Sequence, residues 1–105
     1  MSKITEVRLT LAALIYGIEI DLKSTIRQQI VPYFSDLSFF QNEELINKVV
    51  ERYTKENPGV DIYLNLEDSI DYLDFHDTFV ILRKNDTFLT KESSTYLKSI
   101  FGALE

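Results

Sequence analysis

The side chains best able to do chemistry in this chain are its single histidine and the carboxylates around it. His76 sits in Asp74-Phe75-His76-Asp77, with Asp68 and Asp71 upstream. Such a cluster has two chemical uses, as a hard-cation site or as a general acid–base pair. A catalytic histidine needs a nucleophile or a second titrating partner held by the fold. A metal site needs several converging ligands. The spacing supplies neither an HExxH pair nor the Asp-x-Asp-x-Asp-Gly calcium loop. The plainer reading, adopted here, is that Asp74 or Asp71 caps a helix and the other carboxylates face water. No metal, cofactor or catalytic residue is expected.

The run from Asp61 to Asp77 holds six carboxylates and no Lys or Arg. One use is a docking face, as on an acidic antitoxin or inhibitor, that steers a basic protein through its field. The other is a solvated surface, and that reading is favoured. Asp68, Asp71, Asp74 and Asp77 stand as the candidate contacts of the docking alternative. The rest of the charge agrees with an acidic middle: residues 36–76 carry ten acidic and three basic side chains, within a net charge of −6. Direct DNA binding is not expected, because affinity for phosphate backbones comes largely from Lys and Arg. The seven Phe and six Tyr are not interleaved with basic residues, as a base-stacking platform would be; most belong to the core.

Three glycines, none near another, exclude a phosphate-cradling loop, and the absence of cysteine excludes thiolate chemistry and disulfides. A reducing cytosol is the simplest compartment. The N-terminus lacks the basic patch and apolar run of a signal peptide. The most apolar stretch, Leu9 to Ile20, is broken by Thr10, Gly17 and Glu19 and is too short and polar for a membrane span.

The elements that would position these groups are helical. With 105 residues the chain fits one domain. Leu11, Ile15, Ile18, Leu22 and Ile26 recur at spacings of three and four, predicting one long helix from Lys3 to Val31, ended by Pro32. At 1.5 Å per residue it is about 40 Å long, so it is either exposed at one end or packed against another subunit. Ala13 and Gly17, small and four apart, are its candidate contact for a second helix; gap-filling inside one monomer explains them equally well.

An aromatic connector, Tyr33 to Gln41, is expected to fold back onto the core. Asn42 caps a second helix to Glu56, burying Leu45, Ile46, Val49, Val50 and Tyr53 and stopped by Asn57-Pro58-Gly59. Val60, Ile62, Leu64 and Leu66 alternate like a strand, but no partner strand exists, so an extended or irregular crossing segment is expected. Helical spacing resumes from Asp68 to Lys84, and a last helix, Thr90 to Leu104, buries Leu97, Ile100, Phe101 and Leu104. The expected fold is all-α, about four helices in one bundle.

One stretch carries a family signature. Ile70-Asp71-Tyr72-Leu73-Asp74-Phe75-His76-Asp77-Thr78-Phe79-Val80-Ile81-Leu82-Arg83-Lys84-Asn85 resembles the "YLDF-x-D" helix of HEPN domains of the Swt-type branch. The opening helix, with Glu19 and Ile26-Arg27, is similar to that branch's first helix. The resemblance implies a helical domain, often dimeric, from a larger prokaryotic defence or stress protein. Active members cut RNA through an Arg-x4–6-His motif on a late helix. His76 would need an arginine at 69, 70 or 71, where Ser69, Ile70 and Asp71 stand, so no catalytic residue carries over. Two explanations stay open. Either the motif lies beyond residue 105, and RNA is engaged only through that missing part of an endonuclease, or the chain is a member that binds without cutting. The leading expectation is a non-catalytic protein-interaction or oligomerisation module.

Overall fold

In the computed structural model the backbone is described over residues 3–104, and side chains for Arg8, residues 10–100 and Gly102. The fold is all-α. Four α-helices, α1 (Lys3–Gln29), α2 (Glu43–Glu56), α3 (Phe75–Lys84) and α4 (Lys91–Leu104), are joined by short 3-10 turns. No strand occurs among the described residues.

Each boundary has a local cause. Pro32 has no amide hydrogen to continue α1, and the chain leaves through a 3-10 turn, Val31–Tyr33. Asn42 caps α2, its side chain accepting from the Leu45 amide at 3.1 Å, with Glu43 and Glu44 in the first turn. Gly59, at φ 79°, adopts the left-handed conformation that ends the loop after α2. The 60–66 segment is irregular, wound into 3-10 turns at Ile62–Leu64 and Leu66–Tyr72. Winding breaks the apparent alternation: Ile62 and Leu66 are buried, whereas Val60 and Leu64 are exposed. The helical run predicted from Asp68 is interrupted at Leu73, where the backbone is extended. Asp74 then starts α3 afresh, its carboxylate accepting from the Asp77 amide at 2.7 Å.

The core lies where the C-terminal half of α1 meets the other elements. Leu22 and Ile26 of α1 and Ile30 just after it pack with Phe39 and Phe40 of the connector, Val49 and Tyr53 of α2, Ile70, Ile81 and Leu82, and Leu97 and Ile100 of α4. Leu45, Ile46 and Val50 complete the α2 face while partly buried. The aromatic connector folds back as expected at Phe39 and Phe40, whose rings meet edge-on at 5.0 Å. Tyr33 departs from that expectation: it is exposed and lies against Phe88, ring centroids 5.4 Å apart. Burial of Phe101 and Leu104, expected in the sequence, lies outside the described side chains.

Polar side chains, buried at Asn85 and more exposed elsewhere, tie the elements together. Asn85 ends α3, and its side-chain amide donates to the carbonyls of Phe39 and Ile81, both at 2.8 Å. The Gln29 carbonyl oxygen accepts from the Thr90 amide at 2.8 Å while its amide donates to Ser93 Oγ at 2.7 Å. Tyr96 donates to Asp21 at 3.2 Å. As α4 advances from 90 to 96 its partners on α1 fall from 29 to 21, so the two helices run antiparallel.

Candidate interaction surface

The stripe that builds the core does not stop where the core stops. Leu22 and Ile26 are 1% and 0% exposed, and Ile18, one turn earlier, is partly buried. On the same face, Ile15 is 49% and Leu11 54% exposed, with Leu14 beside them at 59%. From Arg8 to Gly17 every described side chain is exposed. α1 therefore has a buried half and a projecting arm. The arm extends the molecule: the radius of gyration is 15.5 Å, against about 13 Å for a compact chain of this length.

The arm is apolar on more than one side. Tyr16 and Ile20, also at least half exposed, lie round the helix from Leu11 and Ile15. Ala13 and Gly17 are exposed on that other side too. Apart from its chain neighbours and the backbone of its own helix, no atom of the described residues comes within 4 Å of where a Gly17 Cβ would stand, so within this chain Gly17 packs against no other element. A helix hydrophobic all round is ordinarily a buried one. Within this single chain the N-terminal half of α1 is exposed, and beside Ala13 and Gly17 it shows the larger apolar side chains Leu11, Leu14 and Ile15. That signal was in the sequence, since the stripe and the helix length were both legible. Which half the body would cover was not.

The acidic run is put to structural use. Asp61 accepts from the Tyr63 amide at 2.9 Å and starts its 3-10 turn. Asp68 accepts from the Tyr53 hydroxyl at 3.1 Å. Asp71 is ion-paired to Arg27 of α1, which also donates through Nε to the Glu67 carbonyl at 3.1 Å. Asp74 caps α3. Asp77, in the first turn of α3, has its carboxyl held above the usual range, first by burial and then by the Asp74 charge beside it. The capping predicted for Asp74 or Asp71 falls to Asp74, while Asp71 clamps the body to α1.

Four of the six carboxylates in the run, Asp61, Asp68, Asp71 and Asp74, are thus engaged by the chain itself. His76 is exposed in the first turn of α3. Among the described residues no three His, Asp or Glu side chains converge as metal ligands would. The surface also carries shallow depressions, among them one beside Asp21, Thr25 and Tyr96. A second, of about 260 Å³, lies between α3 and α4 and is lined by Arg83, Asp86, Ser94, Leu97 and Lys98. A third, of about 350 Å³, is walled by Arg27, Phe34, Tyr63 and Leu64. None of these sets a nucleophile beside a histidine. No helix among the described residues is long and apolar enough to cross a membrane.

Compared with known proteins, the chain matches no family model, no curated protein and no solved structure. The surface is therefore read from its own chemistry.

Proposed function

We propose that this domain is a non-catalytic protein-interaction or oligomerisation module of HEPN-like type, serving within a larger prokaryotic defence or stress protein. One observation carries the reading: the core-forming stripe of α1 continues for two further turns as exposed Leu11, Leu14 and Ile15. Solvent-exposed apolar surface of this continuity is costly, and contiguous patches of a few hundred Å² commonly mark protein contacts. Burial against a partner recovers roughly 25 cal/mol for each Å² of apolar surface covered. The acidic flank supports the competing docking reading less well, because Asp61, Asp68, Asp71 and Asp74 already hold turns, Tyr53 and Arg27 in place.

The test is a double variant, Leu11→Asp with Ile15→Asp, made on the full chain. Both side chains lie outside the core, so the helical circular-dichroism signal of the body and its cooperative melt should persist. Association, whether with itself or with a purified partner, should be lost. Association that persists undiminished in the variant refutes the assignment to this face. Steep weakening of association with added salt, with no response to the double variant, would favour the acidic flank instead.

A further inference from the structure

We infer that the depression between α3 and α4 binds a small dicarboxylic amino acid, of the class of free glutamate. The site is separate from the arm of α1 and does not depend on it.

Two segments bring the lining together. Arg83 stands in the last turn of α3 and Asp86 in the 3-10 turn that follows. Ser94, Leu97 and Lys98 come from α4. Ser94 and Lys98 are four residues apart and so share one face of that helix. Leu97 is 7% exposed and supplies carbon surface between the polar groups, while Arg83, Asp86 and Lys98 are exposed.

The sign pattern is selective. The lining holds two cations, one carboxylate and one hydroxyl. A simple anion such as inorganic phosphate is drawn to Arg83 and Lys98 but repelled by Asp86. A simple cation meets Asp86 and two repulsions. A ligand with two carboxylates and one ammonium opposes all three charges at once, and its methylenes lie on Leu97. Capacity for this is present. Lys98 has no ion-pair partner among the described residues. Arg83 is engaged within the chain, but a guanidinium has five N–H donors and keeps some for a carboxylate. The Ser94 amide donates to the Thr90 carbonyl at 2.9 Å, and its hydroxyl remains to donate or accept at the rim.

Size agrees with charge. At about 30 Å³ for each water-sized group, the 260 Å³ holds roughly nine, close to the number of non-hydrogen atoms in glutamate. Pockets for drug-sized ligands start at about 300 Å³. The depression is shallow and its charges are hydrated, so the dissociation constant should be on the order of a millimolar.

The experiment is an amide-resolved NMR titration of the full chain with L-glutamate at low, constant ionic strength. Glutarate, which lacks the ammonium, and inorganic phosphate are titrated beside it. Glutamate should give saturable shifts clustered at residues 83–86 and 94–98. Glutarate and phosphate should bind about threefold or more weakly. Lys98→Gln should weaken glutamate by a similar factor. Asp86→Asn removes the partner of the ammonium, so glutamate should lose its advantage over glutarate. Both variants change exposed side chains, and unchanged spectra elsewhere confirm their fold. Absence of saturable shifts at the depression overturns the proposal. So does glutarate or phosphate binding the wild type as tightly as glutamate, which would make the depression a plain anion site. A preference for glutamate over glutarate that survives Asp86→Asn overturns it as well. Each result bears on the depression alone and leaves the reading of the arm to its own test.

Discussion

The two halves of α1 share one helix, one apolar stripe and one period, yet differ in everything that follows. From Leu22 onward the stripe faces Phe39, Phe40, Ile70 and Leu97. Up to Ile15 it faces solvent. The difference teaches that a pattern of spacings specifies a face, and only the rest of the chain decides how far that face is covered. The body spends its apolar residues on the end of α1 from Leu22 and on Ile30 just beyond it, and has none in the described residues that reach the first turns.

The sharpest way to test that contrast is a matched pair of truncations. Ile26→Ala removes a fully buried side chain and should cost about 2–4 kcal/mol, with the midpoint of thermal unfolding lowered by about 10 °C or more. Ile15→Ala, the same change three turns earlier, should alter the stability of the isolated monomer by no more than about 0.5 kcal/mol. Its effect should appear instead in association through the arm. Equal losses of monomer stability from the two would mean that the arm packs on the body, and the division of α1 would be wrong.

A second comparison sets Asn85 against the exposed polar residues of the same region. Asn85 is 3% exposed and donates to two carbonyls, one of them in the distant Phe39 turn. Asn85→Ala leaves the Phe39 carbonyl without its partner and should cost about 1–3 kcal/mol, measured by urea unfolding. Asn85→Asp should be worse, because a carboxylate would then face two carbonyl oxygens. Thr87→Ala, exposed two residues on, should be near neutral.

How much of this was legible beforehand follows from the kind of signal each feature leaves. The cap at Asn42 and the stops at Pro32 and Asn57-Pro58-Gly59 are local chemistry written within a few residues, and they stand where read; of the two caps considered, Asp74 or Asp71, the structure uses Asp74. The break at Leu73 inside an apparently continuous helical run was missed, because Asp74 serves as a cap only when the preceding turn winds as 3-10. Asn85 was legible as a turn but not as a buried tie, since its partner Phe39 is 46 positions away. The acidic run was legible as charge. Its use, through Arg27 to Asp71 and Tyr53 to Asp68, depends on the body folding back onto α1, and no spacing along the chain encodes that. For the same reason Ala13 and Gly17 looked like a contact from size alone, while the exposed stripe beside them required knowing where α4 and the connector end.

The smallest expected effect concerns the body alone and comes from its tyrosines. Tyr53, Tyr72 and Tyr96 all have hydroxyl pKa values held above the ordinary 10.0. For Tyr53 and Tyr96 burial is the main cause, followed by the carboxylates of Asp68 and Asp21 that accept from them. For Tyr72 the hydrogen bond with Glu56 comes first and burial second. In the unfolded chain these protons leave near pH 10, and in the folded chain later. Above that pH the unfolded state binds fewer protons, so stability must fall as pH rises. Below it the three contribute no slope. Urea midpoints should therefore be flat through mildly alkaline pH and decline beyond about pH 10, with phenolate absorbance lagging until unfolding releases it. Tyr96 gives this prediction its bearing on α1. Its partner Asp21 stands just before Leu22, where the buried half of the helix begins. Tyr96→Phe keeps the ring against α1 and removes the hydroxyl, and it should reduce the alkaline slope while leaving association through Leu11 and Ile15 intact. If Tyr96→Phe instead abolished that association, the arm and the body would be a single cooperative unit, and the boundary drawn at Leu22 would have to move toward the N-terminus.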